Sequence, residues 1–242
     1  MGRRTLLGTN LWIEQTTRHA FNLDTILLSD FIKVPYRSKL ILDLGTGAGA
    51  VMLYLSQKTK VKIIGVEIQE SRVLQAKHNI KLNQLEHQLS VIHMDLREMI
   101  YRDVDCIISN PPFFKTTETS NMNLNEEEMI ARHEVKMTLE ELIKTTSKAL
   151  KFAGHFFMIH RPDRFAEITL LFKKYQLEIK RVRFVHPYID SKPNHVLIEA
   201  VKNGQSGLTI EAPLILYKEK QILTEEMTSI YGGRSYVTEL TE

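Results

Sequence analysis

Apolar positions along the chain fall into two alternating kinds of block. Short continuous runs occur at Leu40 to Leu44, Val61 to Ile68, Leu89 to His93, Val104 to Ser109, His155 to His160, Leu177 to Val185 and Val196 to Val201. They are rich in branched residues and have the length of strands. Between them lie stretches with three- and four-residue apolar spacing, which predict helices at Gln69 to Leu82, Thr138 to Leu150 and Phe165 to Tyr175. A shorter one, Val51 to Leu55, follows the first run, and Ile26 to Ile32 precedes it, with Asn22 as its expected N-cap and Val34-Pro35 as its stop. Thr138 and Glu141 have the spacing of a capping box. Phe152-Ala153-Gly154 is expected to end that helix ahead of the fifth strand. Strands alternating with helices predict an α/β fold around a mostly parallel sheet. Residues 1–20 read as an irregular arm. Residues 115–137 form a polar connection long enough to act as a lid or substrate clamp.

The first strand runs into Gly45-Thr46-Gly47-Ala48-Gly49-Ala50. Glycines there let backbone approach a ligand and let the next helix pack on the strand. Gly45, Gly47 and Ala50 also fit a dinucleotide pattern, so the glycines alone leave the cofactor open. Asp43 helps to choose, because a carboxylate at this mouth repels a pyrophosphate and suits the cationic methionine end of S-adenosylmethionine. Glu67 closes the second strand, 24 residues on, where a carboxylate meets ribose hydroxyls. Asp95 follows the third strand and can accept from an adenine amino group, with Ile68 and Leu96 on the two faces of the ring. The fourth strand ends in Asn110-Pro111-Pro112-Phe113-Phe114. Two prolines stop the ladder and stiffen the turn. The Asn110 amide and the Pro111 carbonyl then offer acceptors for the two hydrogens of an exocyclic amine, and Phe113 offers a stacking face. Ligands bind at the carboxyl ends of strands in open α/β sheets, so Asp43, Glu67, Asp95 and Asn110 are expected on one rim.

Composition narrows the class. The 242 residues are 43% apolar and 25% charged, which fits one globular domain. The basic amino terminus lacks the apolar segment of a signal peptide, and no apolar run reaches membrane-spanning length, so the expected location is cytoplasmic. One cysteine, Cys106, excludes an internal disulfide, and the nine histidines form no metal-binding spacing, so no metal is expected. Net charge is +3, but residues 151–202 carry ten Lys/Arg against five Asp/Glu, and residues 1–42 carry six against three. Such clustering is compatible with a polyanion partner.

The order of these motifs resembles the class I S-adenosylmethionine-dependent methyltransferases. Asp43 to Gly49 resembles their first motif, Glu67 their ribose acid, Asp95 their adenine-side acid, and Asn110-Pro111-Pro112-Phe113 their amino-methylating motif. The resemblance implies a Rossmann-like fold: a mostly parallel seven-stranded sheet with an antiparallel last strand and helices on both faces. It also implies a single domain, with an arm and helix at 1–36, a core at 37–202 and an extension at 203–242. Phe21 to Leu28, Ala131-Arg132-His133-Glu134, His160 to Arg164, Lys192 to His195 and Ile230 to Gly233 are similar to the bacterial valine-tRNA adenine-N6 methyltransferase family. That likeness implies a tRNA anticodon loop as partner and the adenosine 3′ of the anticodon as target. Asn110, Pro111, Pro112 and Phe113 would be catalytic. Asp43, Gly45, Thr46, Gly47, Glu67, Ile68, Asp95, Leu96 and Asn110 would hold S-adenosylmethionine. Phe114, Arg132, His133, Arg161, Arg164, Lys192, Arg3 and Arg4 would bind substrate, with Lys115 a further phosphate contact. This chain has Phe113 where other amino methyltransferases carry tyrosine, which preserves stacking and removes a hydroxyl. A protein glutamine amide, or adenine in another RNA or in DNA, presents the same pair of hydrogens and stays open as an alternative.

Overall fold

The computed structural model describes residues 2–15, 23–111 and 137–232. Asn22, Phe21, Arg18 and the connection 112–136 lie outside the described residues. The elements in chain order begin with a hairpin, β1 (Gly2–Thr5) and β2 (Trp12–Gln15), and a helix, α1 (Leu23–Phe31). There follow β3 (Leu40–Leu44), α2 (Ala50–Ser56), β4 (Lys62–Glu67), α3 (Glu70–Leu82), β5 (Leu89–His93) and β6 (Val104–Ser109). The second half holds α4 (Leu139–Ala149), β7 (Leu150–His160), α5 (Phe165–Lys174), β8 (Leu177–His186) and β9 (His195–Lys202). The chain then forms β10 (Thr209–Ile210), β11 (Leu214–Ile215), β12 (Tyr217–Glu219), β13 (Ile222–Leu223) and α6 (Glu225–Tyr231).

The main sheet has the order β10-β8-β9-β7-β6-β3-β4-β5, with β11 also on β8. Its seven long strands match the expected number, and β9 runs antiparallel to both neighbours. The two-residue strands β10 and β11 lie parallel to β8 and widen the sheet to nine. Central strands buried on both faces read as unbroken apolar runs, which explains why β3 and β6 were legible. Side chains alternate across the sheet with period two. Ile41, Cys106, Ile108, Phe157 and Ile159 join a core with α1, α2 and α3, while Leu42, Ile107, Phe156 and Met158 join one with α4 and α5.

Two expectations are corrected. Residues 2–15 are a hairpin, not an irregular arm, and Leu6 and Ile13 are fully buried in the core with α2 and α3. Beyond residue 203, Leu214, Leu216, Met227 and Ile230 are buried in that same core. The fifth strand starts at Leu150, directly at the helix end, and not at His155. A shift of register between Val104 and Cys106 absorbs the extra residues, and Ala153 takes a positive φ of 57° there. The capping box forms as expected: Glu141 N donates to Thr138 Oγ1 and Thr138 N to Glu141 Oε2.

Candidate active site

Chain order β3, β4, β5 runs outward on one side, and β6 returns to the other side of β3. That reversal is the switch point where open α/β sheets take ligands. The rim therefore reads Asn110, Asp43, Glu67, Asp95 across four adjacent strands, as the sequence predicts.

Asp43 is 1% exposed near the end of β3 and accepts a hydrogen bond from Thr46 Oγ1 at 2.7 Å. Burial pushes its carboxyl up to about 7, opposed by the Thr46 bond and reinforced by the nearby charge of Glu67. Gly45 and Gly47 turn the chain with φ of 73° and 58°, which a side chain rarely tolerates. Both Gly45 N and Thr46 N donate to Val66 O, so the turn is folded back on β4. A Cβ on Gly65 would lie 2.6 Å from Thr46 Cγ2 and 2.9 Å from Met52 Sδ, so only glycine leaves room for the turn. Glu67 clamps the turn from the other strand. Its Oε2 accepts from Gly47 N at 2.9 Å, and its Oε1 accepts from Ile68 N and Gln69 N at 3.0 Å.

Asp95 caps a 3-10 turn, Leu96–Glu98, by accepting from Arg97 N at 2.8 Å. The Arg97 guanidinium also grips both oxygens, and this hydrogen bonding holds Asp95 below the ordinary carboxylate range. Asp95 is thus on the rim, but an adenine amino group would compete with Arg97 for it. Ile68 and Leu96 are both half-buried beside it.

Asn110 and Pro111 leave the end of β6 half-buried. Ser109 just before them donates to Leu44 O at 2.9 Å and fixes the strand end against β3. Among the described residues the Asn110 side chain has no hydrogen-bond partner, so both its donor and its acceptor face are available. Pro112, Phe113, Phe114, Lys115, Arg132 and His133 lie outside the described residues.

Two histidine positions on the same rim escape a reading of histidines as metal ligands only. His160 ends β7, next to β6, and is 2% exposed; its Nδ1 accepts from Arg161 N at 2.8 Å, and burial pushes its pKa down. His195 starts β9, and its Nε2 lies 2.8 Å from Asp24 Oδ1 in the first turn of α1. The usable signal was position, since each histidine stands where a strand meets the rim, as the acids do.

Of the cations expected to bind substrate, Arg161, Arg164 and Lys192 sit at this edge of the sheet, whereas Arg3 and Arg4 lie on the hairpin beside α3. The basic excess of residues 151–202 is largely consumed internally. Arg161 pairs with Asp163, Arg164 with Glu167, Arg181 with Glu199 and Glu211, and Arg183 with Glu226. Arg181 and Arg183 are also mostly buried, so that excess is not a free basic face. Among the described residues no cluster of three His, Cys, Asp or Glu has metal-binding geometry, and no helix is long and apolar enough to cross a membrane.

The methyltransferase small domain family model matches residues 20–185. A tRNA1(Val) (adenine(37)-N6)-methyltransferase of Phocaeicola vulgatus is 28% identical over 210 residues, covering 84% of this chain and 88% of that protein. One of the same description from Trichodesmium erythraeum is 29% identical, covering 80% and 84%. Among solved structures, a predicted O-methyltransferase of Agrobacterium tumefaciens superposes with a TM-score of 0.69 at 21% identity, covering 88% of this chain and 97% of that one.

Proposed function

Since the chain belongs to the methyltransferase small domain family, we propose that it methylates N6 of an adenosine in tRNA, 3′ of the anticodon of a valine tRNA, with S-adenosylmethionine as donor. The relatives' descriptions support the substrate, and the whole chain acts as one domain in the cytoplasm. The observation that carries the chemistry is the Asn110 amide at the switch point, without a hydrogen-bond partner among the described residues and one strand from the buried carboxylate of Asp43.

The residues present fit the cofactor. A buried carboxylate whose ionisation is held back by desolvation gains most from a cation, and the methionine end supplies one. Gly45, Thr46 and Gly47 would shape the floor, Glu67 keeps one acceptor site, on Oε2, for a ribose hydroxyl, and Ile68, Leu96 and Asp95 would border the adenine. When bound, the cofactor supplies a methyl carbon on a positively charged sulfur, already activated towards nucleophiles.

The protein's task is positioning. Adenine N6 is a weak nucleophile because its lone pair is delocalised into the ring. Hydrogen bonds from its two N–H groups to Asn110 Oδ1 and the Pro111 carbonyl favour a pyramidal nitrogen with the lone pair directed at the methyl carbon. Transfer would exchange the donor's C–S bond for the N–C bond, and the surplus proton on N6 would leave to solvent. Holding the reactants in such a geometry accounts for many orders of magnitude without acid–base chemistry. Phe113 and Phe114 would stack on the base, offsetting the few kcal/mol needed to take it out of its own stack. Lys192, Arg132 and His133 would meet the surrounding RNA, with Arg161 and Arg164 beside it but held by Asp163 and Glu167.

The test is transfer from labelled S-adenosylmethionine to unmodified valine tRNA, followed by digestion to nucleosides. N6-methyladenosine that disappears when the adenosine beside the anticodon is replaced by guanosine is the expected result. Cofactor binding without label in tRNA would overturn the reading.

A further inference from the structure

The amino-terminal hairpin is held to α3 by side chains acting as a strand. Asn79 and Asn83 each grip the whole peptide unit of one residue of β2. Glu14 N donates to Asn79 Oδ1 at 2.8 Å, and Asn79 Nδ2 donates back to Glu14 O at 3.1 Å. Trp12 N donates to Asn83 Oδ1 at 2.8 Å, and Asn83 Nδ2 donates back to Trp12 O at 2.7 Å. The spacing explains the fit: two strand residues advance about 6.7 Å and four helix residues about 6 Å. Gln75 Nε2 adds a bond to Glu14 O at 3.2 Å, and Tyr54 donates its hydroxyl to Leu7 O at 3.0 Å.

This ladder decides which side chains face outward. Ile13 and Gln15 are buried, so Trp12 and Glu14 alternate to the outside. Trp12 stays 40% exposed, and the Arg3 guanidinium lies 4.4 Å from the centre of its ring. Among the described residues Arg3 forms no ion pair, although Glu14 sits opposite it in register. Glu14 instead meets His78 at 3.1 Å. Arg97, Arg161, Arg164, Arg181 and Arg183 are all paired with carboxylates. An exposed indole under an unpaired guanidinium is the combination that stacks on bases and holds phosphate. Its location suits a long substrate as well. Trp12 is bound at Asn83, thirteen residues beyond the start of α3, which places it about 20 Å down the helix from the rim.

We propose that Arg3 and Trp12 form a second RNA contact, separate from the catalytic rim, in which Trp12 stacks on an unpaired base of the tRNA and Arg3 holds the adjoining phosphate. The inference rests on the tRNA reading of the rim.

Trp12 is the only tryptophan, so its fluorescence reports on this site alone. Titrating the full chain with unmodified valine tRNA is expected to quench it. Trp12→Ala should weaken tRNA binding about tenfold, in keeping with the usual weight of base–aromatic stacking. Arg3→Gln should lower the slope of log K against log salt by about one. Calorimetry with S-adenosylmethionine checks that each variant is folded. Absence of quenching would overturn the proposal, and so would wild-type affinity and salt slope in both variants. The two readings fail separately: quenching without N6-methyladenosine sinks the rim reading alone, and N6-methyladenosine without quenching sinks the hairpin contact alone.

Discussion

The substitution Asp43→Asn separates stability from cofactor binding. Asp43 is 1% exposed and its carboxyl is pushed up to about 7 by burial. In the unfolded chain the same group ionises near its ordinary value of 3.8. Between those values the folded protein holds a proton that the unfolded chain has released. Asp43 therefore favours the folded state fully below about pH 4, and that contribution is lost as pH rises to 7. The difference corresponds to on the order of 4 kcal/mol above pH 7. Asparagine keeps an oxygen for the Thr46 hydroxyl and removes the charge, but it buries an amide N–H₂ at a cost of about 1–2 kcal/mol. A net gain of roughly 2–3 kcal/mol remains, or about 5–10 °C in melting temperature for a chain of this size. Melting curves of the cofactor-free protein from pH 4.5 to 8 should show Asp43→Asn gaining on the wild type as pH rises. Calorimetry should show the opposite for S-adenosylmethionine. Wild-type affinity should climb between pH 5.5 and 7 as Asp43 ionises, whereas the variant should bind at least tenfold more weakly, with little pH dependence. A variant that melts at or below the wild type at pH 8, or that binds cofactor normally, would refute this account of the site.

Asn110→Ala should lower kcat roughly a hundredfold or more, since positioning carries the rate, and leave cofactor affinity in calorimetry near wild type; equal loss of both would remove Asn110 from the substrate side. Gly65→Ala should destabilise the fold by about 1–3 kcal/mol in urea unfolding, because its Cβ would meet Thr46 Cγ2 at 2.6 Å and Met52 Sδ at 2.9 Å, and it should weaken S-adenosylmethionine through the displaced turn. Lys58→Met should lose about 2 kcal/mol in the same assay without touching cofactor affinity. The buried Lys58 ammonium closes the end of α1 by donating to Ser29 O at 2.6 Å, Asp30 O at 3.1 Å and Ile32 O at 3.2 Å.

The parallel core was legible because each strand carries its own evidence. Val104 to Ser109 is buried throughout and stops at two prolines, so neither its limits nor its direction depends on distant partners. The acids at strand ends were legible for the same reason. The hairpin was not, because four residues of alternation are a weak signal, and their partners, Asn79 and Asn83, lie more than 60 residues away on a helix. In sequence those asparagines look like ordinary surface positions, yet Asn79 is fully buried. The start of β7 was misplaced because Phe152-Ala153-Gly154 reads as a helix stop, while the chain uses it to take up a register shift.

Charge was the least legible property, and its correction carries a prediction of its own. Counting lysines and arginines in residues 151–202 gives a basic segment, and a basic segment implies a steep fall of RNA affinity with salt. Ion pairing divides that segment into unequal parts. The guanidinium of Arg164 meets Glu167 through two hydrogen bonds at 2.7 and 2.5 Å, and that of Arg161 meets Asp163 at 2.9 Å. A phosphate contacting either arginine must compete with a carboxylate already in place, so few counterions are released by the exchange. Lys192, exposed between β8 and β9, has no carboxylate partner among the described residues. Lys192→Gln should therefore lower the slope of log K against log salt by about one. Arg161→Gln and Arg164→Gln should leave that slope near wild type and change tRNA affinity less than about threefold, within the worth of an exposed ion pair. If instead the two arginine variants flatten the salt dependence and Lys192→Gln does not, the carboxylate partners give way on binding, and the ion pairs of the free protein are a poor guide to the RNA-binding face.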